Sequence, residues 1–135
     1  MASFTVNSGG AILAVSDVER SIEFYTARLG FTVENRFDGP PFAILSRGPV
    51  RLALAEEGHE ADDRPGIVPT ALQDRSKPQV MLVLWVDDCP STYEALVAEG
   101  VEFTTPPVYP PWGGSRCYAI DPDGYLVEIE QLGDG

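Results

Sequence analysis

Apolar and polar positions follow two different periods along this chain, and the order of those periods occurs twice. "AILAV" (11–15) is apolar and short, as a strand requires. Ser16 or Asp17 can then cap a helix through "DVERSIEFYTARLG": Ser16 and Glu19 have capping-box spacing, and Gly30 is placed to end it. Val18, Ile22, Tyr25 and Leu29 recur at i, i+4, i+7 and i+11, which is one helical face. "FTVENRF", "FAILSR" and "VRLALAE" follow as three short strands, divided by the turn signals "DGPP" and "GP".

The second half repeats that order. "VMLVLWV" (80–86) reads as a buried strand, and "DDCPSTYEALVAEG" as a helix with Pro90 in its first turn and Gly100 at its end. A shift of 71 positions lays Asp17 on Asp88, Val18 on Cys89, Ile22 on Tyr93 and Tyr25 on Leu96, reproducing the apolar face. "VEF", "RCYAID" and "YLVEIE" supply the last three strands. The pattern therefore predicts an α+β protein with βαβββ modules at 9–56 and 79–132, joined by a linker at 57–78. A copy of roughly 60 residues buries too little surface to be more than marginally stable alone. The two are expected to pack together as a single domain over 1–135. Two irregular stretches differ in kind. The linker is charged and holds His59, the one histidine, within "EEGHEADD"; a solvated acidic loop is the expectation there. The loop "TTPPVYPPWGG" (104–114) instead sets Tyr109 and Trp112 among four prolines, and a solvated loop has no need of two large aromatics.

Composition changes the picture at three points. Hydrophobic residues make up 44% and charged residues 22% of 135, which suits one packed domain and not a disordered chain. A formal net charge of −12 argues against nucleic acid, whose phosphates need a basic footprint, and suits a cationic ligand or simply a solubilising surface. Neither a transmembrane run nor, in "MASFTVNSGG", a signal-peptide pattern is found, so no membrane partner and a cytoplasmic location are expected. Cys89 and Cys117 have no metal-type spacing and are too few for a disulfide framework.

The pieces "AVSDVERSIEFYTARLGF", "VDDCPSTYEALVAEGVEF", "PWGG" and "DPDGYLVEIE" together resemble the vicinal oxygen chelate superfamily of glyoxalases, extradiol dioxygenases and bleomycin-resistance proteins. The resemblance covers nearly the whole chain outside the linker. It implies paired βαβββ modules whose mixed sheets curl into a cleft, with modules commonly shared across a homodimer. It also implies metal-ligand positions, and these can be carried over one at a time. They fall on Gly10, Ala53, Met81 and Glu128, of which only Glu128 keeps the family's residue type. Glycine and alanine have no donor atoms, and a thioether is a poor ligand for a hard divalent ion. No metal and no other cofactor is expected, and no catalytic residue is assigned.

Strand alternation then says what remains in the cleft. Gly10, Ile12, Ala14, Arg51, Ala53, Ala55, Met81, Val83, Trp85, Leu126, Glu128 and Glu130 share the face away from the helices. A roomy apolar groove with a tryptophan and a carboxylate suits a planar, partly cationic molecule. This resembles the metal-free bleomycin-resistance branch, which sequesters a drug between aromatics. On that resemblance Trp112 ("PPWGG") and Trp85 stack on the ligand, Phe42 and Met81 form the apolar wall, Tyr109 is a further binding residue on the loop of Trp112, and Glu128 meets a positive or hydrogen-donating group. Arg116 stands within one residue of the branch's usual arginine, with its direction open. The expected function is non-catalytic binding of an antibiotic-like small molecule, conferring resistance by sequestration. The alternatives are a divergent lyase or isomerase with a non-standard or absent metal site, and a regulatory partner using the loop aromatics for protein contact. Glu128 and Glu130 share a face and could in principle work as an acid–base pair, although Glu130, near the strand end, is expected to be solvated.

Overall fold

A computed structural model describes residues 1–133, which form two compact units, Met1–Ala71 and the chain from Leu72 onward. The first unit runs β1 (Ala11–Val15), α1 (Val18–Glu23), β2 (Thr32–Asp38), β3 (Pro41–Arg47) and β4 (Val50–Glu56). Its four-stranded sheet has the order β1-β4-β3-β2, with β1 parallel to β4 and the other pairs antiparallel. The second unit runs β5 (Leu82–Trp85), α2 (Cys89–Ala98), β6 (Glu102–Phe103), β7 (Ser115–Ile120) and β8 (Leu126–Gln131). Its sheet, β5-β8-β7-β6, has the same pattern, with β5 parallel to β8. The α+β class and the repeated βαβββ order are as expected from the sequence.

The helices form for the reasons the pattern gave, with two differences. Asp17, not Ser16, is the N-cap of α1: its carboxylate accepts the Arg20 backbone N–H at 3.2 Å. Ser16 Oγ accepts from the Arg20 guanidinium at 2.7 Å. Beyond Glu23 the helix continues as a π-helical segment, Phe24–Arg28, before Gly30 turns the chain. Asp88 caps α2 in the same way, accepting from the Ser91 N–H at 3.0 Å. Arg47 of β3 donates to the Leu29 carbonyl at the end of the first helix, where a cation suits the unsatisfied carbonyls.

In the first unit Val18, Ile22, Tyr25 and Leu29 are all buried, packed over Leu13, Val15, Ala43, Leu45, Leu52 and Leu54. Each fully buried aliphatic or aromatic side chain contributes about 1.5–3 kcal/mol against exposure. Tyr25 sets its ring edge-on to Phe31 at 5.8 Å. The second core is leaner: Cys89 and Leu96 of α2 face Cys117, Ala119, Val127 and Ile129, while Tyr93 meets Phe103 at 4.8 Å. The strand expected at 80–86 as fully buried is shorter, and none of its four residues is buried. It lies at the sheet edge, with β8 on one side only. Among the described residues no helix is long and apolar enough to cross a membrane.

Leu13 is 3% exposed and its neighbour Ile12 64%, so one residue of register separates core from open face. In urea unfolding, Leu13→Ala is expected to cost about 2–5 kcal/mol and Ile12→Ser no more than about 0.5 kcal/mol. Equal costs would mean that the open face of this sheet is covered in solution.

Candidate functional site

In the second unit the register of three strands builds two rows of side chains on the face away from α2. Trp85 of β5 stands opposite Glu130 of β8, which stands opposite Arg116 of β7. One rung along, Val83 stands opposite Glu128, which stands opposite Tyr118. The intervening Leu84, Ile129 and Cys117 point to the core side, and Ile129 and Cys117 are fully buried. Arg116, whose direction the sequence left open, therefore lies on the same face as Trp85.

Two contacts fix this face. The indole N–H of Trp85 donates to Glu130 Oε1 at 2.9 Å, which holds the ring while leaving the residue 65% exposed. Glu130 is thus a partner of the tryptophan. Glu128 also has a partner: the Tyr118 hydroxyl donates to it, and that hydrogen bond, with some burial, holds the Tyr118 phenol above its ordinary range. Tyr118 was missed in the sequence reading, although its place two residues beyond Arg116 puts it on the same face. Two carboxylates against one guanidinium leave the face attractive to a cation.

The loop after β6 carries Tyr109 and Trp112, 67% and 73% exposed. Its base is fixed by a reciprocal backbone pair between Val108 and Arg116, at 2.8 and 3.1 Å. Its far end is fixed by Gly114, at φ +76°, where a Cβ would stand 2.2 Å from the Gln131 carbonyl oxygen. Only glycine fits there. No ring–ring pair among the described residues involves Trp85, Tyr109 or Trp112. Met81 stands exposed one residue before β5.

In the first unit the open face carries Ile12, Ala14, Ala53 and Ala55, with Phe42 opposite Ala55 and 6.1 Å from Phe37. Small residues on the parallel ladder leave two hollows of about 280 Å³ each, and Ile12 and Phe42 line both. The structure thus places Trp85, Glu128 and Arg116 on one sheet face, Tyr109 and Trp112 on one loop, and Phe42 on the open face of the first unit.

The metal expected of the wider family does not fit these residues. A Cβ at Gly10 would stand 2.5 Å from the Arg51 carbonyl oxygen, so β4 leaves no room there for a histidine. Ala53 offers no donor, and Glu128 is engaged by Tyr118. Among the described residues no three His, Cys, Asp or Glu side chains gather into a group that could hold an ion. The thiols give no nucleophile either. Cys89 and Cys117 are buried with their sulfurs 3.8 Å apart, and burial, followed by the neighbouring Cys89, pushes Cys117 up to about 12.

Comparison with known proteins agrees with this geometry. The profile of the "Glyoxalase/Bleomycin resistance protein/Dioxygenase superfamily" matches residues 7–129, and the chain belongs to that superfamily. A bleomycin resistance protein from Geobacillus stearothermophilus is 28% identical over 123 residues, covering 88% of this chain and 92% of that one. A probable lactoylglutathione lyase from Vibrio cholerae is 26% identical over 128 residues, covering 89% and 86%. The crystal structure of a glyoxalase/bleomycin resistance protein/dioxygenase from Nocardioides superposes with a TM-score of 0.76 at 30% identity, covering 100% of this chain and 88% of that one.

The Tyr118–Glu128 pair has a signature at high pH. A phenol whose pKa is raised in the folded state contributes stability that is present below the ordinary phenol pKa and lost as pH rises through the raised one. The Tyr118 contribution, taken as the difference in absorbance at 295 nm between the protein and Tyr118→Phe, should titrate above the ordinary phenol range. Glu128→Leu should return that tyrosine to the ordinary range, whereas an unchanged titration would mean that Tyr118 does not donate to Glu128. Both thiols are expected to stay silent to a disulfide reagent at pH 8 until the protein is unfolded, because both are buried and at Cys117 a pKa of about 12 leaves almost no thiolate.

Proposed function

We propose that this protein binds a planar, antibiotic-like small molecule carrying positive charge, and protects by sequestering it unchanged. The observation that carries the reading is the second unit's open face. A tryptophan ring is held edge-on by Glu130 with its surface exposed, and Glu128 and Glu130 supply acceptors beside it. Stacking and cation–π attraction need that combination of a presented π-face and nearby negative charge. Trp112 and Tyr109, on a loop fixed at its base, are the side chains that close over the ligand, with Met81 as apolar wall and Arg116 at the rim. The similarity to a bleomycin resistance protein over most of both chains supports the same reading. Binding by a homodimer, the arrangement usual in this family, and action in the cytoplasm belong to this proposal.

A second reading, a lyase or isomerase, is favoured by the similarity to a probable lactoylglutathione lyase and by the retained Glu128. The two part on metal and on the fate of the ligand. Metal-stripped protein is titrated with bleomycin and other planar cationic antibiotics, with tryptophan fluorescence as the readout. Saturable quenching, with the ligand recovered intact, is expected. Trp112→Ala and Trp85→Ala should each weaken binding by about 1–3 kcal/mol, the scale of losing one aromatic anchor. Affinity indistinguishable from wild type in both variants would rule out the stacking clamp. A silent titration that gains turnover on addition of a divalent ion would favour the enzyme.

A further inference from the structure

Two cysteines face one another in the core of the second unit. Cys89 is the first residue of α2, and Cys117 lies within β7, 28 positions further along. They are 0% and 1% exposed, and their sulfurs stand 3.8 Å apart. The Cys89 S–H also has the Ile129 carbonyl within reach, at 3.5 Å. The start of α2 is braced besides: the Cys89 N–H donates to Gln131 Oε1 at 2.9 Å, and Asp88 caps the helix. The pair therefore joins a fixed helix end to a fixed strand.

The first unit shows what this place requires for packing alone. The shift of 71 positions that lays Val18 on Cys89 also lays Leu13 on Leu84. Leu13 stands opposite Leu54, which stands opposite Ala43; Leu84 stands opposite Ile129, which stands opposite Cys117. Val18 and Ala43 are thus the counterparts of Cys89 and Cys117, and both are buried. A valine and an alanine fill the place without sulfur. The second unit has cysteine at both positions, within reach of each other.

Two chemistries use a pair of thiols at this distance. An ion held by two thiolates would bury charge, and among the described residues no third His, Cys, Asp or Glu joins the pair. A disulfide is neutral and needs no further ligand. Its bond is about 2.0 Å long, so each sulfur has to move by less than about 1 Å.

We propose that Cys89 and Cys117 are a redox lock on the second unit: a chain that folds under oxidising conditions closes them into a disulfide, and the fold then keeps whichever state it closed on. The oxidant is a low-molecular-weight disulfide. In the unfolded chain one cysteine thiolate attacks it, forming a mixed disulfide and releasing one small thiol. The second thiolate then attacks the sulfur of the first cysteine and releases the other. Two cysteine thiols are oxidised, and the external disulfide is reduced to two thiols that take up the two protons. Burial closes both directions once the unit has folded. The chain loop that the bond closes contains α2, β6 and the segment bearing Tyr109 and Trp112. Where thiols are kept reduced, the same chain folds unlocked. The lock does not depend on what the protein binds.

The test holds the reduced protein at its urea midpoint, where folded and unfolded chains interconvert, with oxidised or with reduced glutathione, and then removes the urea. With oxidised glutathione the recovered protein is expected to weigh two hydrogens less, to carry no glutathione and to show no free thiol when denatured. Its urea midpoint should rise by about 1–2 M, the scale of a cross-link spanning this length of chain. Without urea, native protein given oxidised glutathione should keep both thiols, and locked protein given reduced glutathione should keep its disulfide. Cys89→Val with Cys117→Ala, the residues of the first unit, should give one midpoint in both buffers. Free thiols or glutathione adducts after oxidative recovery, a disulfide form that unfolds at the same or lower urea, or ready exchange in the native protein overturns the lock. So does a chain that regains its fold with reduced but not with oxidised glutathione. None of these outcomes needs the variant.

Discussion

Within each unit, the parallel ladder that joins the first strand to the last decides which side chains meet. Because strand side chains alternate with a period of two, fixing Leu13 opposite Leu54 also fixes Ile12 opposite Ala53 and Ala14 opposite Ala55. Fixing Leu84 opposite Ile129 likewise sets Trp85 opposite Glu130. The core face is enforced by burial against the helix, and the open face inherits its register at no added cost. A slip of one residue would turn Trp85 inward and Leu84 outward, losing both the core and the site. The binding chemistry therefore rests on the packing of residues that never touch a ligand.

Upon that register the open faces are specialised by subtraction. Gly10, Ala53 and Met81 stand at the positions that the family resemblance aligns with metal ligands, and the space beside the glycine is filled by the β4 backbone. In the proposed binding site, preorganisation takes the place of coordination. A Trp85 ring with its N–H already satisfied by Glu130 loses little side-chain freedom when a ligand stacks on it, and the ligand need supply only a π-face. Gly114 does the same for the loop of Trp112 by holding its end against Gln131. A net charge of −12 adds a longer-range attraction for cations to this local arrangement.

The elements were legible where one physical signal dominated. Short apolar runs, the helical spacing of Val18, Ile22, Tyr25 and Leu29, and the turn glycines gave the βαβββ order twice over. Signals that compete locally were not resolved. Ser16 and Asp17 both suit a cap, and only the backbone geometry selected Asp17. The π-helical segment at Phe24–Arg28 leaves no mark on the apolar spacing, and the edge position of β5 depends on which strand pairs with it. On the site, alternation correctly grouped Trp85, Glu128 and Glu130 on one face, but not the hydrogen bonds within the group. Those depend on cross-strand register with β7, which brought in Tyr118. His59 was illegible for a different reason: its setting is made by the hydrogen bonds of Gly58, Arg64 and Ala71, two of them involving a side chain, that no composition or period encodes.

The direction of the two pKa shifts bears on the choice between holding a ligand and transforming it. General acid–base catalysis works best when a group's pKa is brought toward the working pH. Here the shifts run the other way. The hydrogen bond to Glu128 moves the Tyr118 phenol further above neutrality, and burial moves the Cys117 thiol up to about 12. Each makes its group a poorer proton donor at neutral pH and secures it in its protonated form, as a fixed hydrogen-bond donor in one case and a core side chain in the other. A phenol that keeps its proton can hold Glu128 in one orientation across the whole physiological range. The Tyr118–Glu128 rung of the proposed binding face thus keeps one hydrogen-bond arrangement at neutral pH.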